Sequence, residues 1–193
     1  MNSISAIALV TPSAEWLPGY VAALESGWSP DNLRPAAAQE QLAAIRADAP
    51  RFLAALVDRE ARGAPITLPD GSKVPRLPGF TQWVVDGEFC GSINLRWQRG
   101  SNELPEHVLG HVGYGIVPWK RGRGYATLAL AIMLRNARRE GLDHVYVSTD
   151  VGNVASQRVI EANGGRDPVR LRRGPQYGHT EALRYRLATP DIG

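Results

Sequence analysis

The chain has 193 residues, a formal net charge of +3 and 44% hydrophobic residues, enough apolar material for one sizeable core. No apolar run is long enough to cross a bilayer, and the single cysteine, Cys90, excludes an intramolecular disulfide. The four histidines carry no spaced Cys or Asp partners, so the sequence shows no metal-ligand pattern. We therefore expect one cytoplasmic domain over residues 1–193, with no signal peptide, no membrane segment and no metal.

The first third of the chain predicts helices. Apolar residues fall on one helical face between Glu15 and Ser26, where Pro18 lies in the first turn and is tolerated there. Two further helices are predicted over Pro35–Asp48 and Arg51–Arg62, separated by Pro50. Three helices within residues 13–63 should therefore precede most of the sheet.

Short β-prone segments follow. Residues 66–74 contain an Asp-Gly turn and predict a hairpin. Phe80–Val85 and Phe89–Trp97 predict an antiparallel pair, in which one face of the second strand carries apolar residues and the other is polar. We expect this polar face, formed by Ser92, Asn94 and Arg96, to line a cleft. A closing strand is predicted over Leu183–Leu187 from its alternation of apolar residues with arginine.

A glycine-rich loop lies between a predicted strand at 111–117 and a predicted helix at 125–139. A helix N-terminus offers unpaired N–H groups and a positive dipole end. Gly122 and Gly124 remove the side chains that would keep a phosphate away from this backbone, and Arg121 and Arg123 add charge. The loop therefore predicts a pyrophosphate site.

The loop does not have the third glycine of the dinucleotide fingerprint or the Gly-Lys-Ser/Thr ending of a Walker loop. Downstream, Val145–Thr149 predicts a short strand, and residues from Asn153 predict a helix that ends at Asn163-Gly164-Gly165. A second strand–helix junction therefore follows the first along the chain.

Both junctions resemble the GNAT N-acetyltransferase superfamily. Arg121, Gly124 and Ala126 match its R/Q-x-x-G-x-G/A signature, and residues 153–165 are similar to its N-x-x-S/A-x-x-x-(Y)-E-x-x-G-F pattern. The resemblance implies an α/β fold with a mixed, mostly antiparallel central sheet flanked by helices, and acetyl-CoA as cosubstrate. It places the cofactor-binding core at about 80–165 and implies these cofactor contacts: Ile116, Val117, Arg121, Gly122, Arg123, Gly124, Tyr125, Ala126, Asn153 and Ser156.

The resemblance also implies direct attack of an amine on the thioester. In this family the fourth strand carries a bulge, and Gly113 and Gly115 stand at the matching place. A backbone N–H beside the bulge polarises the carbonyl, and Ile116 is the candidate donor.

The catalytic acid and base are less directly indicated. Ile160 stands where many relatives have the tyrosine that protonates the CoA thiolate, which leaves Ser156, Tyr146, Tyr125 or no dedicated acid as alternatives. His111 is the leading candidate for the general base, and its structural alternative is a hydrogen-bonded residue of the core. Glu88 is a second candidate base, with a solvated turn residue as its alternative.

The sequence leaves three functions open. The first is acetylation of an amine on a small molecule; the others are acetylation of a protein N-terminus or lysine, and an acyl-CoA-binding regulatory domain without turnover, which the missing tyrosine suggests. Two arginine clusters, at 135–139 and 170–173, lack interleaved aromatic residues, so we do not expect a nucleic-acid partner. The resemblance also allows a homodimer, since many relatives pair through their C-terminal strands.

Overall fold

A computed structural model describes residues 7–68, 71–174 and 179–191. It contains ten strands: β1 Ala8–Val10, β2 Val57–Asp58, β3 Ile66–Thr67, β4 Lys73–Val74, β5 Gly79–Val85, β6 Phe89–Arg96, β7 Val112–Ile116, β8 His144–Asp150, β9 Arg166–Arg172 and β10 Glu181–Ala188. The α-helices of the described residues are α1 Leu17–Glu25, α2 Ala37–Ala47, α3 Ala49–Ala55, α4 Tyr125–Arg139 and α5 Val154–Ala162. A 3₁₀ turn at Pro118–Lys120 connects β7 to the glycine loop.

The strands form two main antiparallel sheets. The first has the order β1-β5-β6-β7, and β2 also pairs with β5; the second has the order β8-β10-β9. The small β3–β4 hairpin stands apart, and its predicted turn residues Pro69 and Asp70 lie outside the described residues. The predicted α/β fold with mostly antiparallel pairing is confirmed.

Helices cover both faces of the first sheet. The apolar sides of α4 and α5 pack on one face, where Ile93, Leu130 and Ile160 belong to one buried cluster. On the other face, α1–α3 pack against a second buried cluster in which the Tyr20 ring stacks on Trp83 with centroids 4.7 Å apart. Burial of these apolar side chains removes them from water and so supplies the main driving force for this layered arrangement.

The sheet is split between β7 and β8. The two strands meet at one backbone hydrogen bond, in which His111 N–H donates to the Tyr146 carbonyl at 2.7 Å. In the described residues they form no ladder beyond it, and β7 and β8 belong to different sheets. The split places one edge of β7 beside α5 instead of beside a paired strand.

Two segments differ from the prediction. The third predicted helix ends at Ala55 and not at Arg62, because Val57 and Asp58 pair with Phe80 and Gly79 as strand β2. Residues 166–172, for which no strand was predicted, form strand β9. This strand is exposed except at Leu171, which is partly buried, and its pairing with β10 holds it in place.

Candidate active site

The glycine loop lies in front of the N-terminus of α4. Gly122 and Gly124 adopt left-handed backbone conformations, with φ of +74° and +76°, which glycine accepts without the steric cost of a side chain. A Cβ at either position would meet no atom within 4 Å, so the space in front of the helix is open. The predicted start of the helix at Tyr125 is confirmed.

This helix end has the properties of an anion site. The first helical hydrogen bond runs from Leu128 N–H to the Gly124 carbonyl, so the N–H groups of residues 125–127 have no partner within the helix. No side chain caps this end, and the first turn carries no acidic residue. The exposed loop and the positive end of the helix dipole therefore fit the pyrophosphate of acetyl-CoA.

A nearly buried ion pair between Lys120 and Asp86 anchors the residues on both sides of the glycine loop. The Lys120 ammonium lies 3.0 and 3.1 Å from the two Asp86 carboxylate oxygens, and the Tyr125 hydroxyl donates to Asp86 at 2.6 Å. Burial opposes ionisation of Asp86, but the hydrogen bonds from Tyr125 and Lys120 hold its pKa well below the ordinary value. Asp86 thereby ties the β5–β6 turn to the first residue of α4.

Glu88 belongs to this support. Its carboxylate lies 3.0 Å from the Lys120 ammonium and is 77% exposed. It sits in the β5–β6 turn beside the glycine loop, where Gly91 pairs with Ile116 at the end of β7. This position favours the solvated turn residue over the general base, because it faces the cofactor loop and not the start of β7.

The free edge of β7 supplies backbone donors. Val117 N–H donates to Cys90, and Arg96 N–H donates to the His111 carbonyl. With the observed register, these bonds turn the N–H and C=O groups of Val112, Tyr114 and Ile116 away from β6 and toward the split. The Ile116 N–H therefore points away from β6 and into the split.

Two expectations about β7 change. Val117 does not offer its main chain to a cofactor, because its N–H bonds Cys90 and its carbonyl accepts from Lys120 N–H. The expected bulge is absent from the described register, since residues 112–116 pair continuously with 95–91. The split between the sheets, and not a bulge, exposes the edge of β7. Arg121 Nε donates to the Ile116 carbonyl at 3.1 Å, so this arginine also orders the strand end.

Ser156 lies in the first turn of α5, facing β7. Asn153 caps this helix by accepting from Ser156 N–H at 3.0 Å, as its residue type allows. The Ser156 hydroxyl lies 2.8 Å from the Tyr114 hydroxyl. Burial raises the pKa of Tyr114 to about 12, although its hydrogen bond with Ser156 acts in the opposite direction. The two hydroxyls form a neutral pair across the split.

Sequence reasoning missed Tyr114. It was grouped with Trp83, Trp97 and Trp119 as a core aromatic residue or a wall of the acceptor site, and not as an acid. The other two tyrosines considered as acids are engaged elsewhere: Tyr125 with Asp86, and Tyr146 with Glu103 at 3.1 Å. Ile160 is fully buried in the core. The available signal was a tyrosine two residues before the end of β7, between two glycines.

His111 is fully buried where β7 and β8 meet. Its Nδ1 accepts from Tyr146 N–H at 2.9 Å, which places the ring proton on Nε2. Burial, followed by the positive charges of His144, Arg184 and Arg96, lowers the pKa of His111 to about 4. The lone pair that a general base needs is already used, so the geometry favours the structural alternative for His111.

We expect His111 to make the folded protein sensitive to acid. Its pKa is about 4 when folded and 6.5 in the unfolded reference, so between these values the unfolded chain binds a proton that the folded chain does not. The contribution is fully present above pH 6.5 and is lost as the pH falls to 4, which amounts to about 3 kcal/mol. Urea unfolding at several pH values measures it.

His111→Gln removes the titrating group and should flatten that pH dependence, whereas the matched variant His107→Gln should leave it unchanged. Parallel stability curves for the wild type and His111→Gln would contradict the burial argument. His111→Gln also separates the two roles, since a general base would be lost while a core residue that accepts from Tyr146 N–H would be partly replaced.

The molecule is a layered α/β protein with a split sheet, and comparison with known proteins identifies its family. The family model "Acetyltransferase (GNAT) domain" matches residues 32–166. The chain therefore belongs to the GNAT acetyltransferase family, and it is an acetyl-CoA-dependent acyltransferase. Among curated proteins, none matches this sequence.

Solved structures share the fold at low sequence identity. The microcin C7 self-immunity acetyltransferase MccE, in complex with acetyl-CoA and AMP, is 10% identical with a TM-score of 0.62, and the match covers 94% of this chain and 92% of that one. RimL, a ribosomal L7/L12 alpha-N-protein acetyltransferase in complex with CoA, is 12% identical with a TM-score of 0.63, covering 95% and 94%. RimJ from Mycobacterium smegmatis is 16% identical with a TM-score of 0.57, covering 96% and 83%.

The described residues lack two further kinds of feature. Over the described ranges, no helix combines the length and the apolar character that crossing a membrane requires. In the same ranges, no three His, Cys, Asp or Glu side chains gather into a group that could hold a metal ion.

Proposed function

We propose that this protein transfers the acetyl group of acetyl-CoA to the amine of a small molecule by direct attack on the thioester. The observation that carries the proposal is the open, uncapped N-terminus of α4 beside the free edge of β7. The N-terminus of α4 fits the pyrophosphate. The edge of β7 directs backbone N–H groups into the split where the acyl group would lie. Gly122–Ala126 and Asn153 are the proposed cofactor contacts.

The transfer forms one bond, breaks one bond and moves one proton. The amine nitrogen forms a bond to the acetyl carbon, the carbon–sulfur bond breaks, the amine loses one proton and the CoA sulfur gains one. Acetyl-CoA supplies the activated thioester. The Ile116 N–H stabilises negative charge at the carbonyl oxygen, since a preorganised backbone donor costs no rearrangement when that charge develops.

Ser156 and Tyr114 replace the missing tyrosine at Ile160 in this proposal. Their hydroxyls are 2.8 Å apart at the N-terminus of α5, where the helix dipole also favours a negative sulfur. The Ser156 hydroxyl donates to the sulfur while it accepts from Tyr114, so a proton leaves Ser156 and is replaced from Tyr114. Water then returns a proton to Tyr114, so that both hydroxyls end neutral. With His111 enclosed, the amine proton passes to water on the opposite, polar face of the sheet.

The α1–α2 connection covers that polar face, and this covering supports the proposal of a small-molecule acceptor. The Asn32 side chain, from the α1–α2 connection, donates to the Tyr114 carbonyl at 3.3 Å. A Cβ at Gly115 would contact the buried Trp28 ring at 3.5 Å. The α1–α2 connection thus encloses the approach to β7, which favours a compact acceptor over an extended peptide.

The decisive experiment is calorimetric titration with acetyl-CoA, CoA and ATP, followed by thiol release with a panel of amines. We expect one-site binding of both CoA compounds, no binding of ATP, and turnover with small amines. Ser156→Ala should lower kcat by about 100-fold, within the usual range for proton-transfer groups, and leave acetyl-CoA affinity within about twofold. Tyr114→Phe should lower kcat by about tenfold.

Ser148→Ala is the matched control, because this serine bonds the Leu109 carbonyl at 2.6 Å and lies outside the proposed relay. Binding without turnover of any amine would favour the regulatory domain. Turnover of a peptide N-terminus in preference to small amines would favour a protein acetyltransferase, as RimL is. No acetyl-CoA binding would remove the basis of the proposal.

A further inference from the structure

The polar face of the second sheet carries two arginines beside the split. Along β10, Leu183, Tyr185 and Leu187 pack into the α4–α5 core, so Arg184 and Arg186 point to the opposite side. The register of β10 with β8 places Arg184 across from Ser148 and Arg186 across from Tyr146. We call the surface formed by His111, His144, Tyr146, Arg184 and Arg186 the acceptor face.

Among the described residues, the two arginines of the acceptor face have no carboxylate partner of their own. The Arg184 guanidinium stacks on the Tyr146 ring, 3.8 Å from its centroid, and Arg186 lies 3.0 Å from His144 Nδ1. In the described part of the chain, neither arginine forms an ion pair with a carboxylate. The neighbouring Glu103 instead accepts from the Tyr146 hydroxyl, and its carboxylate lies 3.7 Å from His144 Nε2.

Three buried side-chain nitrogens of the acceptor face have no hydrogen-bond partner in the described residues: Arg184 Nε, His111 Nε2 and His144 Nε2. The last has the Glu103 carboxylate 3.7 Å away, which leaves Arg184 Nε and His111 Nε2 as donors without an acceptor. His111 is fully buried, and its Nε2 carries the proton because Nδ1 accepts from Tyr146 N–H. Buried donors in proteins are nearly always paired, and each unpaired one costs free energy until a ligand or water satisfies it. These two donors therefore indicate a missing acceptor group beside the two guanidinium groups.

Arg184 and His111 lie beside the split between β7 and β8, where the acyl group is proposed to lie. His111 N–H bonds the Tyr146 carbonyl at the point where β7 and β8 part, and Arg184 stacks on that same tyrosine. The Tyr146 ring lies 5.7 Å from the His111 ring and 5.2 Å from the His144 ring, measured between centroids, so these groups cluster around this tyrosine. An acceptor entering the split from the polar side would pass these groups before reaching the edge of β7.

We propose that the acceptor amine carries an anionic group, a carboxylate or a phosphate, that binds Arg184 and Arg186 on the acceptor face; this inference rests on the proposed function. The planar guanidinium fork matches the oxygens of either group and forms charge-assisted hydrogen bonds with them. Binding satisfies Arg184 Nε and neutralises the local positive charge. The anion then fixes the acceptor while its amine faces the split.

The test compares three amines of similar length: O-phosphoethanolamine, β-alanine and the uncharged control ethanolamine. We expect kcat/KM for at least one anionic amine to exceed that for ethanolamine by about tenfold or more, and the better of the two identifies the phosphate or the carboxylate. Arg184→Gln should lower the ratio of kcat/KM for the anionic amine to that for ethanolamine by about 10- to 100-fold, as expected for the loss of a hydrogen bond to a charged group. The KM for acetyl-CoA should not change.

Arg135→Gln is the matched control, because this exposed arginine lies on α4, on the other side of the sheet, and its loss changes the net charge equally. A second measurement does not depend on turnover: each amine is titrated calorimetrically into protein saturated with CoA, so that the glycine loop is already filled. Wild type and Arg135→Gln should bind an anionic amine at millimolar concentration, and Arg184→Gln should not.

The outcomes separate this inference from the proposed function. Equal use of ethanolamine and the anionic amines, unchanged by Arg184→Gln, overturns the inference and leaves the acetyltransferase standing. Arg184-dependent binding of an anionic amine without acetylation supports the inference and overturns the enzymatic proposal. Failure of both anionic amines to bind or react overturns the inference.

Discussion

Gly124→Glu is expected to abolish measurable acetyl-CoA binding while the protein remains folded. The new carboxylate would project into the open space in front of α4, where the pyrophosphate is proposed to bind. Two negative charges about 4 Å apart repel by about 4 kcal/mol at an effective dielectric constant near 20, which corresponds to about a 1,000-fold loss of affinity. Calorimetry with acetyl-CoA measures the change.

The chain offers a matched control in Gly141. This glycine follows α4 and has φ of +86°, and a Cβ there would also meet no atom within 4 Å. Gly141→Glu therefore introduces the same charge and the same backbone strain, about 1–2 kcal/mol, at the opposite end of the same helix, ~22 Å away. It should bind acetyl-CoA normally. Normal binding by Gly124→Glu would show that the glycine loop does not hold the pyrophosphate.

Lys120→Met is expected to destabilise the protein by about 3–5 kcal/mol, because it leaves a nearly buried carboxylate without its cation. The Asp86 side chain is 8% exposed and the Lys120 side chain 11% exposed, so water does not replace the lost ammonium. Since Asp86 also holds Tyr125 at the start of α4, acetyl-CoA affinity should fall as well. Urea unfolding and calorimetry measure the two effects.

Two comparisons identify the cause. The double variant Asp86→Asn with Lys120→Met removes both charges and should recover much of the lost stability, since an uncharged pair needs no counterion. Glu88→Gln removes the other partner of Lys120, which is 77% exposed, and should change stability by less than about 1 kcal/mol and leave turnover intact. A large loss of turnover in Glu88→Gln would instead return Glu88 to the role of general base.

Local sequence predicted the elements that carry strong periodic patterns. The helix at 125–139 was placed residue for residue, because good helix formers follow two glycines and end at two arginines. The strands near 80–85, 89–97 and 111–117 were also located, since apolar alternation and turn residues mark them. Strand β9 escaped prediction because its stability comes from pairing with β10, a contact with a distant segment.

The candidate site also contains some residues that local sequence predicted and others that only tertiary packing brings together. Residues 121–126 and the Asn153 cap follow from local backbone chemistry, and the structure gives both the expected helix-terminal positions. The relation of Tyr114 to Ser156 depends on how α5 packs over β7, and these residues are 42 positions apart. The same holds for His111, whose burial and lowered pKa arise from Tyr146, His144 and Arg184.

The sequence by itself determined the family, the left-handed glycines' place in the loop and the start of α4, because short motifs and helix-end chemistry act within a few residues. Only the tertiary structure decided which polar groups face one another across the split sheet. It enclosed His111, joined Glu88 to Lys120, and placed Arg184 and Arg186 on the acceptor face. These outcomes depend on burial and on contacts between segments far apart in the chain, which no local pattern encodes.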